Sequence, residues 1–509
     1  MVILMTLTIT WPTRTDGLEL AKDARECRKL INSVQSFYYP LVLGCCKLGR
    51  YSAFMWIDTP LFDRSAVGLE GVDRALDTLI DAGIRGIVLG PTWTAEIVET
   101  PEQGRSYGPF TDNVFRESLR VNIGAKPVYA RWFHAFKPDK RLYHFTRLKP
   151  YRGPDTGSKP DIFSEIVRSS KEKGIRVLLL VEGATPVVFL NPPEGSVMMK
   201  DVLGNEMGYN CPNDPEFPEY MEAYMRDSYE NYPEIDGFMV DHLEFPSYTI
   251  SEIFACFCEG CREKASALGY SFEALKSGAR RAYKRLAHLT QNQVAAISIA
   301  RRGMLDSFAV LAADRELSDW IRFKVESLNA VFESIRRSVN DIDIKLELNI
   351  DCVTASFALL SGVDLGNLRG YADFVNPKLY STPDFWSWRG RISEYVKTLT
   401  KLNLELSEEA ALRFLYIVFG MELLSSEKTL EETVDTKSPQ KVLSEIQKNA
   451  AFLGDKSKLR PWIRLDIEME ELDNLLGALV KTGIEGVLIR SYEVATEEKL
   501  ESIHKFIGS

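Results

Sequence analysis

The chain has 509 residues, of which 45% are hydrophobic and 26% charged, as in ordinary soluble globular proteins. Its length exceeds that of most single domains, roughly 100–200 residues, although barrel folds with insertions reach more than ~400 residues. A formal net charge of −10 argues against nucleic acid as a partner, because nucleic-acid binding needs a basic surface.

Membrane insertion is also not expected. No apolar run approaches the ~20 residues that cross a bilayer. The start MVILMTLTITWP (1–12) lacks the basic region and the small-residue cleavage site of a signal peptide. We therefore expect a cytoplasmic protein without a membrane partner. The sequence leaves a homo-oligomer open.

In chain order, residues 1–50 fit no repeating unit and are interpreted as an N-terminal extension. From residue 51 onward, strand and helix patterns alternate. The longest helical stretch, 246–335, follows the fourth strand and is interpreted as an insertion. The run ALRFLYIVFGMELL (411–424) is predicted to be a helix because LSEEA gives it a capping-type start, with a strand as the alternative. The predicted strands are apolar and rich in β-branched residues, and they cover residues 52–60, 86–93, 175–183, 237–240, 344–352, 371–381, 462–468 and 484–493.

Such apolar runs are typical of parallel strands that are covered on both faces. Eight of them separated by helices predict a (β/α)8 TIM barrel over residues 51–509. A doubly wound open sheet is the alternative. No G-x-G-x-x-G loop follows an early strand, so the usual nucleotide site of such a sheet is missing.

Polar side chains gather where the predicted strands end, which is where barrel enzymes have their active sites. Asp241 is the preferred catalytic candidate, because alternation with Gly237 and Met239 turns it toward the barrel axis. Carboxylates beside aromatic side chains suit a carbohydrate substrate. Glycoside hydrolysis uses two carboxyl groups, ~5–5.5 Å apart for retention and ~6.5–9.5 Å apart for inversion. Alternatively, these carboxylates only cap helices or pair with arginines. The predicted catalytic residues are Asp241, Glu244, Asp351 and Asp466, and the predicted substrate-binding residues are Asp58, Trp93, Glu182, His242, Lys378, Tyr380 and Trp386.

The cysteines predict a metal site. Eight cysteines in a chain of this size do not form a disulfide scaffold. Cys256, Cys258 and Cys261 form a C-x-C-x-x-C cluster, and tetrahedral zinc needs a fourth ligand, for which Cys211 is the candidate. Four cysteine ligands close the coordination sphere, so this zinc would be structural. The alternative is a group of reduced thiols at the start of a helix.

Several of these segments resemble a known family. The runs NCPNDPEF (210–217), DGFMVDHLEFP (236–246) and CFCEGCREKA (256–265) resemble the barrels of glycoside hydrolase family 42 and related uncharacterised glycosidases, and YADFVNPKLYS (371–381) is similar to their sixth strand. The resemblance implies a barrel and a zinc ion held by Cys211, Cys256, Cys258 and Cys261.

The resemblance breaks at the catalytic positions. Family 42 enzymes end strand four with an Asn-Glu pair whose glutamate is the acid/base, whereas here Leu243 precedes Glu244, and Asp241 is the alternative for that role. Their nucleophile is a glutamate at the end of strand seven, where this chain offers Asp466 or Glu468. We therefore expect a glycoside hydrolase of unknown specificity. The alternatives are a non-hydrolytic carbohydrate-binding barrel and a lyase or aldolase that uses Lys378 as a Schiff base, if its pKa is lowered.

Overall fold

The structure is a computed structural model of the chain. It describes residues 52–58, 66–90, 93–98, 105–106, 129–150, 161–183, 195–299, 314–379, 387–421 and 439–508. The predicted N-terminal extension, residues 1–50, lies outside the described residues.

Eight parallel strands form the centre of the fold. Strands β1 to β6 are each hydrogen-bonded to the next, β8 pairs with both β1 and β7, and every pairing is parallel. Two parallel bridges, Val375 with Leu459 and Lys378 with Trp462, join β6 to β7 and close the ring. The predicted TIM barrel is therefore confirmed, and the closed ring excludes the open sheet. The strands are β1 (Ser52–Asp58), β2 (Gly86–Gly90), β3 (Arg176–Glu182), β4 (Gly237–Asp241), β5 (Glu347–Cys352), β6 (Phe374–Pro377), β7 (Trp462–Arg464) and β8 (Gly486–Arg490).

Helices surround the barrel, and a cluster of them lies between β4 and β5, where the sequence predicted a helical insertion. The predicted helix within 411–424 is confirmed, since Ser407 caps a helix there by accepting a hydrogen bond from the amide of Ala410 at 3.2 Å. The helices are α1 (Ala66–Glu70), α2 (Val72–Asp81), α3 (Ile162–Glu172), α4 (Phe217–Asn231), α5 (Ile250–Ile253), α6 (Glu259–Ala267), α7 (Phe272–Leu286), α8 (Gln291–Ile299), α9 (Arg315–Ile342), α10 (Ala355–Ala358), α11 (Leu365–Leu368), α12 (Trp388–Leu402), α13 (Glu408–Val418), α14 (Pro439–Leu453), α15 (Met469–Thr482) and α16 (Glu497–Gly508).

Two small sheets accompany the barrel. Strands Trp93–Val98, Arg105–Ser106 and Tyr129–His134 form an antiparallel sheet. Strands Met198–Lys200 and Glu206–Asn210 form a hairpin that leads directly to Cys211. In the part of the chain that the structure describes, no helix combines the length and the apolar character that a membrane crossing requires.

The barrel interior is a separate apolar cluster, distinct from the larger core between strands and helices. Its members come from alternate strand positions, as expected from the two-residue period of a strand, and are Phe54, Trp56, Val88, Leu178, Leu180, Met239, Trp462 and Leu488. Glu182 follows Leu180 by two residues, and Asp241 follows Met239 by two residues. Both acids therefore lie on the inner face at the carboxyl ends of their strands.

Candidate functional site

Asp241 is the last residue of β4 and lies almost fully buried, with 3% of its surface exposed. Its Oδ1 accepts hydrogen bonds from the backbone amide of His242, at 2.7 Å, and from Nζ of Lys378. Burial alone would raise the pKa of Asp241, but the positive charges of His242 and Lys378 and their hydrogen bonds lower it to about 2. Asp241 is therefore ionised at neutral pH.

His242 turns the chain away from the barrel. Its φ of 53° lies in the left-handed region, which is uncommon for a residue other than glycine. The turn brings Nδ1 of His242 to 2.9 Å from Oε2 of Glu182 and 3.4 Å from Oδ2 of Asp241. Gly183 permits this approach, because a Cβ there would lie 3.0 Å from the carbonyl oxygen of Asp241 and 3.0 Å from Cβ of Leu243.

Lys378 connects the two sides of the barrel mouth. It follows β6, and its amide donates to the carbonyl of Cys352 on β5 at 3.0 Å. Its side chain crosses to Asp241 on β4 and is itself buried, with 6% exposed. Although burial opposes its charge, the carboxylate of Asp241 raises the pKa of Lys378 well above its ordinary value. The pair is thus a buried, ionised bridge.

Glu244 has a contrasting environment three residues after Asp241. The side chain is buried, with 5% exposed, and neither carboxylate oxygen has a hydrogen-bond partner among the described residues. Burial raises the pKa of Glu244, and this effect exceeds the opposing influence of the Lys378 and His242 charges. Two carboxyl groups three residues apart are therefore driven toward opposite protonation states.

Asp351 lies on the neighbouring strand β5 and is 1% exposed. Its Oδ1 accepts from Nδ2 of Asn376 at 3.0 Å, and its Oδ2 accepts from the indole Nε1 of Trp462 at 2.8 Å. Burial, followed by the nearby charge of Asp241, raises its pKa well above the ordinary value. The ring of Trp462 meets that of Trp56 edge to face at 5.7 Å between centroids. Asp351 is therefore hydrogen-bonded on both oxygens by residues of β6 and β7.

Helix α12 holds the loop after β4 in place. Nη1 of Arg391 donates to Oγ of Ser247 at 2.6 Å, and the hydroxyl of Tyr395 donates to the carbonyl of Ser247. The guanidinium of Arg391 also stacks on the ring of Tyr248, at 4.1 Å from its centroid. The position of Glu244 is therefore fixed by contacts with a helix that begins 144 residues later in the chain.

The remaining predicted site residues are not brought to this cluster by any contact the structure describes. Asp466 follows β7 and forms an ion pair with Arg464, with 2.7 Å between Nε and Oδ1. The backbones of Asp58 and Trp93 lie at the end of β1 and at the start of the strand after β2, but their side chains are not described. Tyr380 and Trp386 lie outside the described residues. All five stay predictions.

The four predicted metal ligands come together. Sγ atoms of Cys211, Cys256, Cys258 and Cys261 all lie within 4.8 Å of one another, and those of Cys211 and Cys261 are 3.6 Å apart. Sulfurs bound ~2.3 Å from a tetrahedral zinc would lie ~3.8 Å apart, so the spacing fits such an ion. All four cysteines are buried and none forms a disulfide. The four thiols could hold a metal ion.

The surroundings of the thiols also suit bound thiolates. The amide of Lys200 donates to Sγ of Cys256 at 3.4 Å, and Nδ2 of Asn213 donates to Sγ of Cys261 at 3.3 Å. Cys258 occupies the N-cap position of α6, where the helix dipole favours negative charge. Gly260 allows close approach, because a Cβ there would lie 2.7 Å from the carbonyl oxygen of Asn213. The sequence therefore brings donors to the sulfurs.

A second group of possible metal ligands consists of Glu182, Asp241 and His242, which offer one atom each within 4.8 Å. Here the ammonium of Lys378 already provides a positive charge against Asp241. The ring nitrogen of His242 already contacts Glu182. The three residues therefore form a hydrogen-bonded group with its own cation, and we assign no metal to it.

Sequence reasoning missed several residues of the site, namely Asn376, Arg391, Ser247 and Trp462. For Asn376 a signal was present, since it lies two residues before Lys378 and therefore on the same face of β6. Trp462 is the first residue of β7, whereas the prediction considered only residues after the carboxyl end of that strand. Arg391 and Ser247 left no recognisable pattern, because their contact depends on how α12 meets the loop.

Comparisons with known proteins give similarity at the level of solved structures. No family model matches the chain, and no curated protein matches it. The chain is similar to a β-galactosidase from the Antarctic haloarchaeon Halorubrum lacusprofundi, with 11% identity and a TM-score of 0.47 over 90% of this chain and 57% of that one. It is also similar to a β-galactosidase from the psychrophilic Marinomonas ef1, with 10% identity and a TM-score of 0.45 over 90% of this chain and 59% of that one.

A third similar structure is the catalytic domain of β-amylase from Paenibacillus polymyxa, with 10% identity and a TM-score of 0.44 over 90% of this chain and 98% of that domain. By contrast, the chain spans less than two thirds of the length of the two β-galactosidases. The parallel strand order and the two closing bridges by themselves define the barrel.

Proposed function

We propose that this barrel is a glycoside hydrolase in which Glu244 acts as general acid and Asp241 acts as the ionised carboxylate, either as nucleophile or as base. The observation that carries this proposal is the divergence of the two pKa values, lowered to about 2 for Asp241 and raised for Glu244. Glycosidases need one protonated and one ionised carboxyl group at the same site, and environments that separate two such pKa values mark the acid and its partner.

The open hydrogen-bonding capacity of the site supports substrate binding. Neither oxygen of Glu244 has a partner, and the buried indole Nε1 of Trp56 also has none among the described residues. Buried polar groups in native proteins are nearly always hydrogen-bonded, so these groups are suited to a polar ligand. Sugar hydroxyl groups and a glycosidic oxygen could form hydrogen bonds with both the carboxyl group of Glu244 and the indole of Trp56. Asp351 and Asp466 stay further catalytic candidates.

The other predicted residues take supporting roles in this proposal. Lys378 and His242 keep Asp241 ionised, and Glu182 orients His242 through their 2.9 Å contact. Asp58, Trp93, Tyr380 and Trp386 are proposed to contact the carbohydrate. An aldolase mechanism through Lys378 is disfavoured, because a Schiff-base lysine needs a lowered pKa and Asp241 raises that of Lys378.

A panel of aryl glycosides and oligosaccharides tests this function. Wild type should release sugar from at least one substrate, and Asp241→Asn and Glu244→Gln should each lower kcat by ~10²–10⁴-fold, the range typical of acid–base catalysis. Asp373→Asn is the matched control, since that half-exposed carboxylate pairs with Arg336 at the opposite end of the barrel. Full activity in both site variants would contradict the assignment. Binding of sugars without turnover would favour the non-hydrolytic barrel.

We also propose that Cys211, Cys256, Cys258 and Cys261 hold a structural zinc ion. Four thiolates and no open position provide affinity without a site for catalysis on the metal. The ion would link the segment after β4, which contributes Cys256, Cys258 and Cys261, to the end of the hairpin, which contributes Cys211. Elemental analysis of protein purified without chelator should give about one zinc per chain. Less than about half an equivalent would contradict the proposal.

A further inference from the structure

Lys324 is a buried lysine whose described contacts are all with neutral groups. It lies on α9, is 0% exposed, and has no ion pair among the described residues. Its Nζ donates to the carbonyl of Ile253 at 3.2 Å and to that of Leu360. The rings of Trp320 and Phe245 lie 4.8 and 5.1 Å from it. A buried charge with only neutral partners is costly, so its presence calls for a counter-charge.

Among the described residues, the charged groups that act on Lys324 are two thiols of the cysteine cluster, Cys256 and Cys261. Ile253, whose carbonyl accepts from Lys324, comes three residues before Cys256, and negative charge on Cys256 or Cys261 favours the charged form of Lys324. Burial lowers the pKa of Lys324 to about 7, although the influence of the two cysteines opposes this shift. When four thiols lose their protons and bind a divalent ion, the complex has a net charge of two negative units. Four neutral thiols without the ion have no net charge.

The same ammonium touches the turn that supports Glu244. Leu360, which accepts from Lys324, is followed by Ser361, whose carbonyl accepts from the amide of Phe245 at 3.0 Å. Phe245 directly follows Glu244. Gly362, with φ of 78°, allows this packing, because a Cβ there would lie 3.0 Å from the ring of Phe245 and 3.1 Å from Cβ of Lys324.

We propose that Lys324 is the counter-cation of the metal-loaded cysteine cluster and that it couples occupancy of the metal site to the position of the loop carrying Glu244. The inference rests on the proposed metal site and not on hydrolysis. When the cluster is loaded, its charge stabilises the ammonium, and the ammonium binds the carbonyls of Ile253 and Leu360 together. When the cluster is empty, this buried charge has no partner, and the connection between the two loops weakens.

Metal affinity measured by competition with a chromophoric chelator tests the charge. Lys324→Met keeps the shape and removes the charge, and it should weaken zinc binding by ~10–100-fold, the usual effect of altering a residue that supports metal ligands. Lys324→Arg keeps the charge and should stay closer to wild type. Lys284→Met is the matched control, because this lysine is exposed in the last turn of α7. Wild-type affinity in Lys324→Met would overturn the proposal.

The free energy of unfolding, measured with and without zinc, distinguishes a charge role of Lys324 from a packing role. Lys324→Met should be less stable than wild type with zinc but equally or more stable with excess chelator, since it then lacks an unpaired buried charge. Equal destabilisation in both conditions would overturn the proposal. Failure of wild type to bind zinc would instead refute the metal site itself.

Hydrogen exchange of the wild type tests the coupling and avoids any folding defect of a variant. Zinc removal should reduce protection in residues 243–253 and in residues 359–363, while the barrel strand β8 stays protected. Loss of protection confined to the segments that contain the four cysteines would overturn the coupling.

Discussion

Replacing Lys378 with methionine removes one half of the buried ion pair and should strongly destabilise the protein. Both partners are nearly inaccessible, with 6% of Lys378 and 3% of Asp241 exposed. Breaking a buried pair by removing one partner typically costs ~3–5 kcal/mol, because the other charge stays buried without compensation. The lowering of the Asp241 pKa from 3.8 to about 2 corresponds to ~2–3 kcal/mol at ~1.4 kcal/mol per pH unit. We therefore expect the free energy of unfolding of Lys378→Met to be ~3 kcal/mol lower than that of wild type at neutral pH, which is consistent with both ranges.

The pH dependence of this loss has a definite sign. In wild type the folded-state pKa of Asp241 is depressed, so its contribution is present above the unfolded value and disappears as the pH falls through about 2. In Lys378→Met the folded-state pKa of Asp241 rises, because burial is no longer opposed by the ammonium. The stability difference between the two proteins should therefore be largest at neutral pH and shrink as the pH falls through the new, higher pKa.

Urea unfolding followed by tryptophan fluorescence measures this difference at about pH 7 and about pH 5. The control is the double variant Lys378→Met with Asp241→Asn, which has neither charge and should recover at least half of the lost stability. A loss below ~1 kcal/mol would place the pair among weak, solvent-screened ion pairs and refute the reasoning. Lack of recovery in the double variant would show that Lys378 acts through packing and not through its charge.

Three further predictions concern Glu244, the loop that carries it and the cysteine cluster. Because burial raises the pKa of Glu244, activity should fall as the pH rises through that raised value, and a pH–rate profile of Glu244→Gln on a substrate with an activated leaving group should lack this alkaline limb. Arg391→Met should cost ~1.5–3 kcal/mol in urea unfolding through the lost bond to Ser247, with Arg413→Met, on the exposed face of α13, as a near-neutral control. Cys211→Ser should lower zinc content and the unfolding midpoint together, and unchanged zinc content would contradict the ligand assignment.

The barrel and Asp241 could be predicted because both follow from local patterns. Eight apolar runs with intervening helices are sufficient for the barrel, and the two-residue period of a strand turns Asp241 to the same face as Met239. The cysteine cluster was predictable for a similar reason, since short spacing brings three of its thiols together without knowledge of the fold. In each case the decisive neighbours are close in sequence.

The environment of these residues could not be predicted, because it comes from distant parts of the chain. Lys378 is 137 residues from Asp241, and its charge, together with that of His242, lowers the pKa of Asp241. From the sequence, Glu244 is equally well explained as a loop carboxylate in solvent. Its 5% exposure arises because the loop packs beneath α12, whose contact with Ser247 has no sequence signature.

The two candidate catalytic carboxyl groups therefore depend on different parts of the fold. Asp241 belongs to a barrel strand, and hydrogen bonds to β3 and β5 on either side hold that strand in place. Glu244 belongs to a loop that is held at the next residue, Phe245, and at Ser247, both bonded to residues outside β4. Disturbing the loop should therefore impair proton donation by Glu244 first, while the ion pair of Asp241 persists. Substrates with poor leaving groups, which depend most on the acid, should lose turnover before those with activated leaving groups.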